Sequence, residues 1–163
     1  MKYLAPFFLI LFVLSDAHGQ EWRIFNSPSN TYIVAFPSVP QSIQDTSIYA
    51  GKDAIGNLFA VQEFTPPEEV TKNQSSREIL KTTIKTFALK KNFLLFETTY
   101  SKYKGDYVAV DFTGKIKTNN RPLKGRIILK GKKVYIIYAI LFSESKDSIN
   151  NYSKFIYSFK LIN

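Results

Sequence analysis

The chain has 163 residues, a net charge of +9, 15% aromatic residues, no cysteine and a single histidine, His18. Plentiful apolar residues and few Gly and Pro exclude a disordered or fibrous protein, and the lack of cysteine excludes disulfide bonds, so the fold depends on its hydrophobic core. Beyond residue 18 the chain lacks the two side chains most used for proton transfer and nucleophilic attack near neutral pH, which favours a protein that is not an enzyme.

The first nineteen residues have the pattern of a cleaved export signal. A short basic start precedes an uncharged run from Leu4 to Leu14. Small residues at Ala17 and Gly19 fit a signal peptidase that cuts before Gln20. The apolar run is well short of the ~20 residues that a membrane-spanning helix needs. We therefore expect residues 1–19 to be removed, leaving residues 20–163 as a single periplasmic or secreted domain without a transmembrane segment.

The first half of this domain has the alternation and turn residues of short strands. The predicted strands are Arg23–Asn26, Tyr32–Phe36, Ser42–Tyr49 and Asn57–Thr65, joined as an antiparallel meander. After Pro66 and Pro67 the apolar residues recur every three or four positions, and Ser75 and Glu78 have the spacing of a capping box. This pattern predicts a helix over Ser75–Lys91.

The second half repeats the order of strands followed by a helix. The predicted elements are strands Leu94–Tyr103, Tyr107–Thr118, Gly125–Lys130 and Val134–Phe142, and a helix Lys146–Phe159 with Ser145 or Asp147 as its N-cap. The second of these strands alternates, so one face should be core and the other wet. The strand Val134–Phe142 is apolar on both sides, which predicts a central strand covered on both faces. The order of elements predicts an α+β domain, an antiparallel sheet with helices packed on it.

Certain core and turn residues resemble those of the PsbP-like superfamily. At the start they are Trp22, Phe25, Tyr32, Val34, Phe36-Pro37 and Pro40, and near the end Val134-Tyr135, Phe155 and Ser158-Phe159. The resemblance covers essentially the whole domain and implies an α/β/α sandwich that acts as an accessory or binding protein. The superfamily has no common active site to transfer. Unlike its DcrB-type lipoproteins, this chain has no cysteine for a lipid anchor.

Positive charge is concentrated in the second half of the chain. Residues 20–79 contain four basic and seven acidic residues, whereas residues 80–163 contain seventeen basic and five acidic ones. No acidic residue lies between Asp111 and Glu144. The densest part forms the candidate partner surface, on predicted adjacent strands and their turns: Lys115, Lys117, Arg121, Lys124, Arg126, Lys130, Lys132 and Lys133.

Such a cluster attracts an anionic surface, which here means phospholipid headgroups, an acidic glycan or an acidic protein. Alternatively, the lysines only keep the surface soluble and blunt an exposed sheet edge. Nucleic acid is not expected as a partner, because an exported protein seldom meets it.

Close acidic pairs are the remaining catalytic candidates, since a glycosidase needs two carboxylates across a cleft. They are Glu68 with Glu69, Asp106 with Asp111, and Glu144 with Asp147. Each pair lies beside a turn or a helix start, where a solvated carboxylate or a cap is the ordinary role. The Asp45 to Asp53 region lacks the spacing of a calcium loop, and no phosphate loop or nucleophile elbow occurs. We therefore predict no catalytic residue, no metal and no cofactor.

Together these features predict an exported, non-catalytic binding or accessory module of the bacterial envelope that contacts an anionic partner through a basic strand face. Two alternatives stay open. A small carboxylate-dependent hydrolase requires a concave pocket holding two carboxylates with raised pKa values. A structural subunit of an envelope complex requires a continuous apolar patch at the surface.

Overall fold

The computed structural model describes residues 21–43 and 47–162, so the predicted export signal lies outside the described residues. The strands are β1 (Arg23–Asn26), β2 (Tyr32–Phe36), β3 (Gln41–Ser42), β4 (Ile48–Lys52), β5 (Leu58–Phe64), β6 (Phe93–Tyr103), β7 (Tyr107–Ile116), β8 (Pro122–Lys130), β9 (Lys133–Ile140) and β10 (Lys160–Leu161). The helices are α1 (Glu68–Thr71), α2 (Ser76–Lys90) and α3 (Lys146–Ser158). The fold is α+β with antiparallel sheets, which confirms the predicted class.

Seven strands form one antiparallel sheet in the order β3-β4-β5-β9-β8-β7-β6, and β1, β2 and β10 form a second sheet in the order β1-β2-β10. Strand β9 is the middle strand of the large sheet. Its Tyr135 and Ile137 lie in one hydrophobic core, and its Ile136 and Tyr138 lie in the other. This arrangement confirms that the strand is central and covered on both faces.

The large sheet lies between two apolar layers. Helix α2 covers one face, where the Phe87 ring lies 5.0 Å from the Tyr138 ring and 5.8 Å from the Phe112 ring. Helix α3 and the three-stranded sheet cover part of the other face, and the Phe155 ring of α3 lies 5.4 Å from the Phe36 ring of β2. Edge-on and tilted ring contacts of this kind supply much of the apolar burial in a core without disulfides.

Both long helices begin at a side-chain cap that the sequence signals. The Ser75 hydroxyl accepts a hydrogen bond from the backbone N–H of Glu78, and the Glu78 carboxylate accepts one from the Ser75 N–H, which completes a capping box. At α3 the cap is Ser145, whose hydroxyl accepts from the Ser148 N–H, while Asp147 lies in the first turn.

The predicted four-strand meander is wrong in its connectivity. Strand β2 pairs with β1 and with β10, and does not continue into β3. The turn that includes Pro37 carries the chain from the small sheet to the edge of the large one. Pairing with the chain terminus decides the place of β2, and β10 is too short to be recognised from its two residues.

The single strand predicted over Ser42–Tyr49 is also wrong. Strand β3 ends at Ser42 and pairs antiparallel with β4, with Gln41 opposite Ala50 and Ser42 opposite Tyr49, so the predicted strand is divided between two antiparallel strands. The sequence Asp-Thr-Ser at residues 45–47 consists of residues that favour turns, and it interrupts the alternation.

Glu63 of β5 joins the two sheets. Its carboxylate accepts hydrogen bonds from the hydroxyls of Ser29, at 2.7 Å, and Thr31, at 2.8 Å, in the turn between β1 and β2. It also pairs with the Lys133 ammonium of β9 at 2.5 Å. Burial alone would raise the pKa of Glu63, but the hydrogen bonds from Lys133, Ser29 and Thr31 outweigh it and hold that pKa below its ordinary value.

Candidate functional site

The strand register divides the predicted basic residues between the two ends of the large sheet. Phe93 lies opposite Ile116, and Lys115 lies opposite Pro122, so the start of β6, the end of β7 and the start of β8 meet at one end. Three of the predicted residues lie at this end: Lys115, Lys117 and Arg121. Three others lie around the β8–β9 turn at the opposite end: Lys130, Lys132 and Lys133.

The three lysines at the opposite end are engaged by the protein itself. Lys130 donates to the Ile162 carbonyl at 2.8 Å. Lys132 lies 3.4 Å from the carboxylate of Glu68, and Lys133 pairs with Glu63. The structure therefore gives this part of the predicted surface local partners that lower its attraction for an external anion.

Lys124 and Arg126 lie between the ends, on the wet face of β8 beside helix α3. Arg126 pairs with Asp111 of β7 through two hydrogen bonds of 2.7 and 3.2 Å. Burial disfavours the charged guanidinium, but the hydrogen bonds and charge of Asp111 outweigh it, so the pKa of Arg126 is raised. Lys124 lies 3.7 Å from the Glu144 carboxylate. Both predicted residues therefore have an acidic neighbour.

A polar groove of about 310 Å³ lies on this wet face, with α3 as its wall. Glu97 and Asp111 contribute carboxylates, and Thr99, Thr113 and Ser153 contribute hydroxyls. This groove brings two carboxylates of the described residues to one concave surface, which is what the hydrolase alternative requires. Asp111, however, is held by Arg126 in a bidentate pair, which occupies both of its oxygens.

The acidic pairs named from the sequence fall into ordinary surroundings. Glu68 pairs with Lys132, Asp111 with Arg126 and Glu144 with Lys124. Within residues 21–43 and 47–162 there is no group of three or more metal-ligating His, Cys, Asp or Glu side chains. The same described part of the chain has no helix long and apolar enough to cross a membrane.

Asp53, at the end of the region that lacks calcium-loop spacing, is a buried turn residue. Its carboxylate accepts hydrogen bonds from the Ile55 and Asn57 N–H groups at 3.0 and 2.8 Å, and from the side-chain amides of Asn57 and Asn151 at 2.7 and 2.8 Å. These bonds tie the β4–β5 turn to α3, and they leave Asp53 in a structural role.

Sequence reasoning missed two members of the charged end of the sheet. Helix α2 ends beside this part of the sheet: two residues after the helix, the Asn92 carbonyl accepts a hydrogen bond of 3.0 Å from the Lys117 N–H. Lys90 and Lys91 therefore join the three predicted residues, although they lie about 25 residues earlier in the sequence. We define the basic end as Lys90, Lys91, Lys115, Lys117 and Arg121.

The basic end has little negative charge of its own. The chain contains no acidic residue between Glu78 and Glu97, or between Asp111 and Glu144. Among the ion pairs of the described residues, none involves a lysine of the basic end. Arg121 differs, because its guanidinium donates to the carbonyls of Gly56, Ile140 and Leu141 and so closes the end of the sheet.

An apolar cavity of about 440 Å³ lies between α1, α2 and the large sheet. Phe64, Pro67, Ile79 and Phe87 contribute apolar walls, and Lys90 lies at the cavity as well as in the basic end. No carboxylate lines this cavity.

No known protein-family model and no characterised protein matches the sequence. Among solved structures, PA94 from Pseudomonas aeruginosa, a protein of unknown function, has a TM-score of 0.47 and 15% identity, covering 72% of this chain and 81% of that chain. LpqN of Mycobacterium tuberculosis, which is involved in cell envelope biogenesis, has a TM-score of 0.42 and 11% identity, covering 87% of this chain and 79% of that chain. At these values no activity or partner transfers to this chain.

Proposed function

We propose that the protein is an exported, non-catalytic binding or accessory module of the bacterial envelope, and that it contacts an anionic partner through the basic end. One observation carries the proposal. Within the described residues, the ammonium groups of Lys90, Lys115 and Lys117 have no carboxylate or hydrogen-bond partner, whereas those of four predicted lysines do: Lys124, Lys130, Lys132 and Lys133. Charges left without local compensation produce the strongest field outside the protein.

The position of these lysines also favours recognition of a surface rather than of a small ion. They project from a helix end and a strand end, and Lys90 and Lys117 are exposed. A small anion would be held more tightly by converging donors in a desolvated pocket. Lysines spread over an open end instead suit a partner that presents several negative charges at once.

The proposal includes the export of residues 20–163 and kinship with the PsbP-like superfamily. Export is supported by the pattern of the first nineteen residues. The kinship is supported by the residues named above and by the layered arrangement of α2, the large sheet and α3. Neither export nor this kinship requires a catalytic residue, which agrees with a module that binds and does not catalyse.

The two alternatives have weaker support. A hydrolase would use the polar groove, where Asp111 is already paired with Arg126. A structural subunit would use a continuous apolar patch, whereas the exposed apolar side chains near the basic end alternate with lysines along the chain.

The test compares two variants that remove the same charge from opposite ends. Lys115→Gln/Lys117→Gln changes the basic end, and Lys130→Gln/Lys132→Gln is the matched control. Retention on sulfated dextran beads, a polyanion without a bilayer, is measured at about 0.01 M and about 1 M NaCl, where the Debye length is ~30 Å and ~3 Å. We expect salt-sensitive retention that the first variant loses and the control keeps. Equal loss in both variants would mean that only net charge matters, and the proposal would fail.

A further inference from the structure

Large apolar side chains are exposed at the same end of the sheet as the unpaired lysines. Leu89 is 79% exposed, Phe96 58% and Leu94 49%, and Phe142 beyond the end of β9 is 64% exposed. Single exposed apolar residues are normal on a protein surface. Four of them lie at the end that carries the unpaired lysines, with the exposed Glu97 directly after Phe96 as a nearby acidic residue. This combination needs its own explanation.

Contacts place these residues next to the basic end. Leu94 of β6 lies opposite Lys115 of β7 in the strand register. Leu89 immediately precedes Lys90 in the last turn of α2. The Phe142 ring lies 5.9 Å from the guanidinium of Arg121. Apolar and basic side chains therefore occur together at this end of the sheet, with Leu94 and Lys115 on one face of the sheet and Leu89 and Lys90 on the helix that covers the other face.

The fold does not need these apolar side chains for its core. Strand β6 is an edge strand, and its pairing shifts between Leu95 and Glu97, which leaves Phe96 without a register partner at a bulge. A bulge on an edge strand redirects a side chain away from its neighbours. Leu89 lies on the part of α2 that faces away from the buried residues Ile84 and Phe87.

We propose that the basic end docks on a phospholipid bilayer with anionic headgroups. The inference rests on the proposed function and names its partner. The lysines lie at the headgroups, and the apolar side chains of Leu89, Leu94 and Phe96 enter the boundary with the acyl chains. Basic residues attract the surface, and apolar side chains beside them bury area that a soluble anion cannot cover. Long lysine stems suit this arrangement, because the ammonium group remains at the polar interface while the stem lies against apolar groups.

An acidic glycan explains the lysines but has no apolar surface to cover Leu89 and Phe96. A bilayer accounts for both kinds of side chain with one contact. Val70 on α1 and Tyr157 near the end of α3 are also exposed but line other surfaces, the apolar cavity and the polar groove, and they provide controls outside the docking residues.

The experiment measures partition onto vesicles of phosphatidylcholine alone or with phosphatidylglycerol. It uses the protein purified after expression of the full chain, with its N-terminus determined by mass spectrometry. The variants are Lys115→Gln/Lys117→Gln, Leu89→Ser/Phe96→Ser and the control Val70→Ser/Tyr157→Ser, each checked for folding by circular dichroism. We expect binding only to the anionic vesicles, about 30-fold weaker without the two lysines and about tenfold weaker without the two apolar side chains.

The outcomes separate the two proposals. If the Leu89→Ser/Phe96→Ser variant binds vesicles as the parent protein does while sulfated dextran retention depends on the lysines, the anionic partner stands and the bilayer is excluded. If neither vesicles nor sulfated dextran retain the parent protein, both proposals fail. If the control loses as much vesicle binding as the apolar variant, the basic end is not the docking surface.

Discussion

Replacing Glu63 by Gln tests the contact that joins the two sheets. The substitution preserves the shape of the side chain but replaces the charged carboxylate that accepts hydrogen bonds from Ser29, Thr31 and Lys133 with a neutral amide. Hydrogen bonds to a charged group contribute about 1.5–3 kcal/mol, and Gln keeps one acceptor oxygen, so we expect a loss of about 2–3 kcal/mol in the free energy of unfolding. For a domain of nearly 150 residues this lowers Tm by roughly 6–12 °C.

The pH dependence of this loss identifies its cause. Since the pKa of Glu63 is lowered on folding, its contribution is fully present above the unfolded pKa of about 4.3 and disappears as pH falls through the folded value. The difference in Tm between the parent protein and Glu63→Gln should therefore be large at pH 7 and shrink below about pH 4.3.

Thermal unfolding followed by circular dichroism measures both quantities. Glu69→Gln is the control, because Glu69 is exposed on α1 and forms no ion pair among the described residues. A Tm of Glu63→Gln equal to that of the parent protein at pH 7 would refute the bridging role. A difference that stays constant down to pH 3 would show that packing, and not charge, causes the loss.

Three further substitutions test the interior. Asn57→Ala should lower the free energy of unfolding, measured with urea, by about 3 kcal/mol. The buried side-chain amide accepts a hydrogen bond from the Phe142 N–H and donates one to Asp53, and both groups would lose their partner. A loss below about 1 kcal/mol would contradict this role. Gly125→Ala should lower the free energy of unfolding by about 1–3 kcal/mol, because a Cβ atom there would lie 2.5 Å from Cζ of Phe112. An unchanged urea midpoint would show that the surrounding side chains move to accommodate the methyl group at no cost. Burial raises the pKa of Tyr138 to about 12. The folded state should therefore lose stability as pH rises from about 10 toward that value, and the Tyr138→Phe variant should lose less. Identical Tm profiles for the two proteins would contradict this expectation.

The sequence predicts the elements of this fold well where local chemistry decides them. The capping residues Ser75 and Ser145 fix the helix starts, and the uninterrupted apolar run of β9 fixes the centre of the sheet. Prediction from the sequence fails where a strand's position depends on pairing with a residue far away in the chain. The place of β2 depends on pairing with Leu161 at the far end of the chain, which no local pattern reveals.

The candidate surface shows the same limit. The run of basic residues from Lys115 to Lys133 is visible in the sequence, but the register places its members at opposite ends of the sheet. Lys90 and Lys91 enter the surface only because α2 ends beside the β7–β8 turn. The pairing of Lys132 and Lys133 with acidic residues of α1 and β5 depends on the tertiary fold as well.

The edge-blunting explanation for the lysines can be judged from the strand order. A lysine protects a sheet edge when it lies on the edge strand itself, as Lys102 does on β6. Strand β7 is paired on both sides, so Lys115 does not lie on an exposed edge strand and cannot protect one. Solubility also gives no reason to collect unpaired lysines around Leu89, Leu94 and Phe96, since exposed apolar groups raise the tendency to associate. A local feature that costs solubility without aiding the fold is most simply retained for a contact, and this favours a docking surface at the basic end.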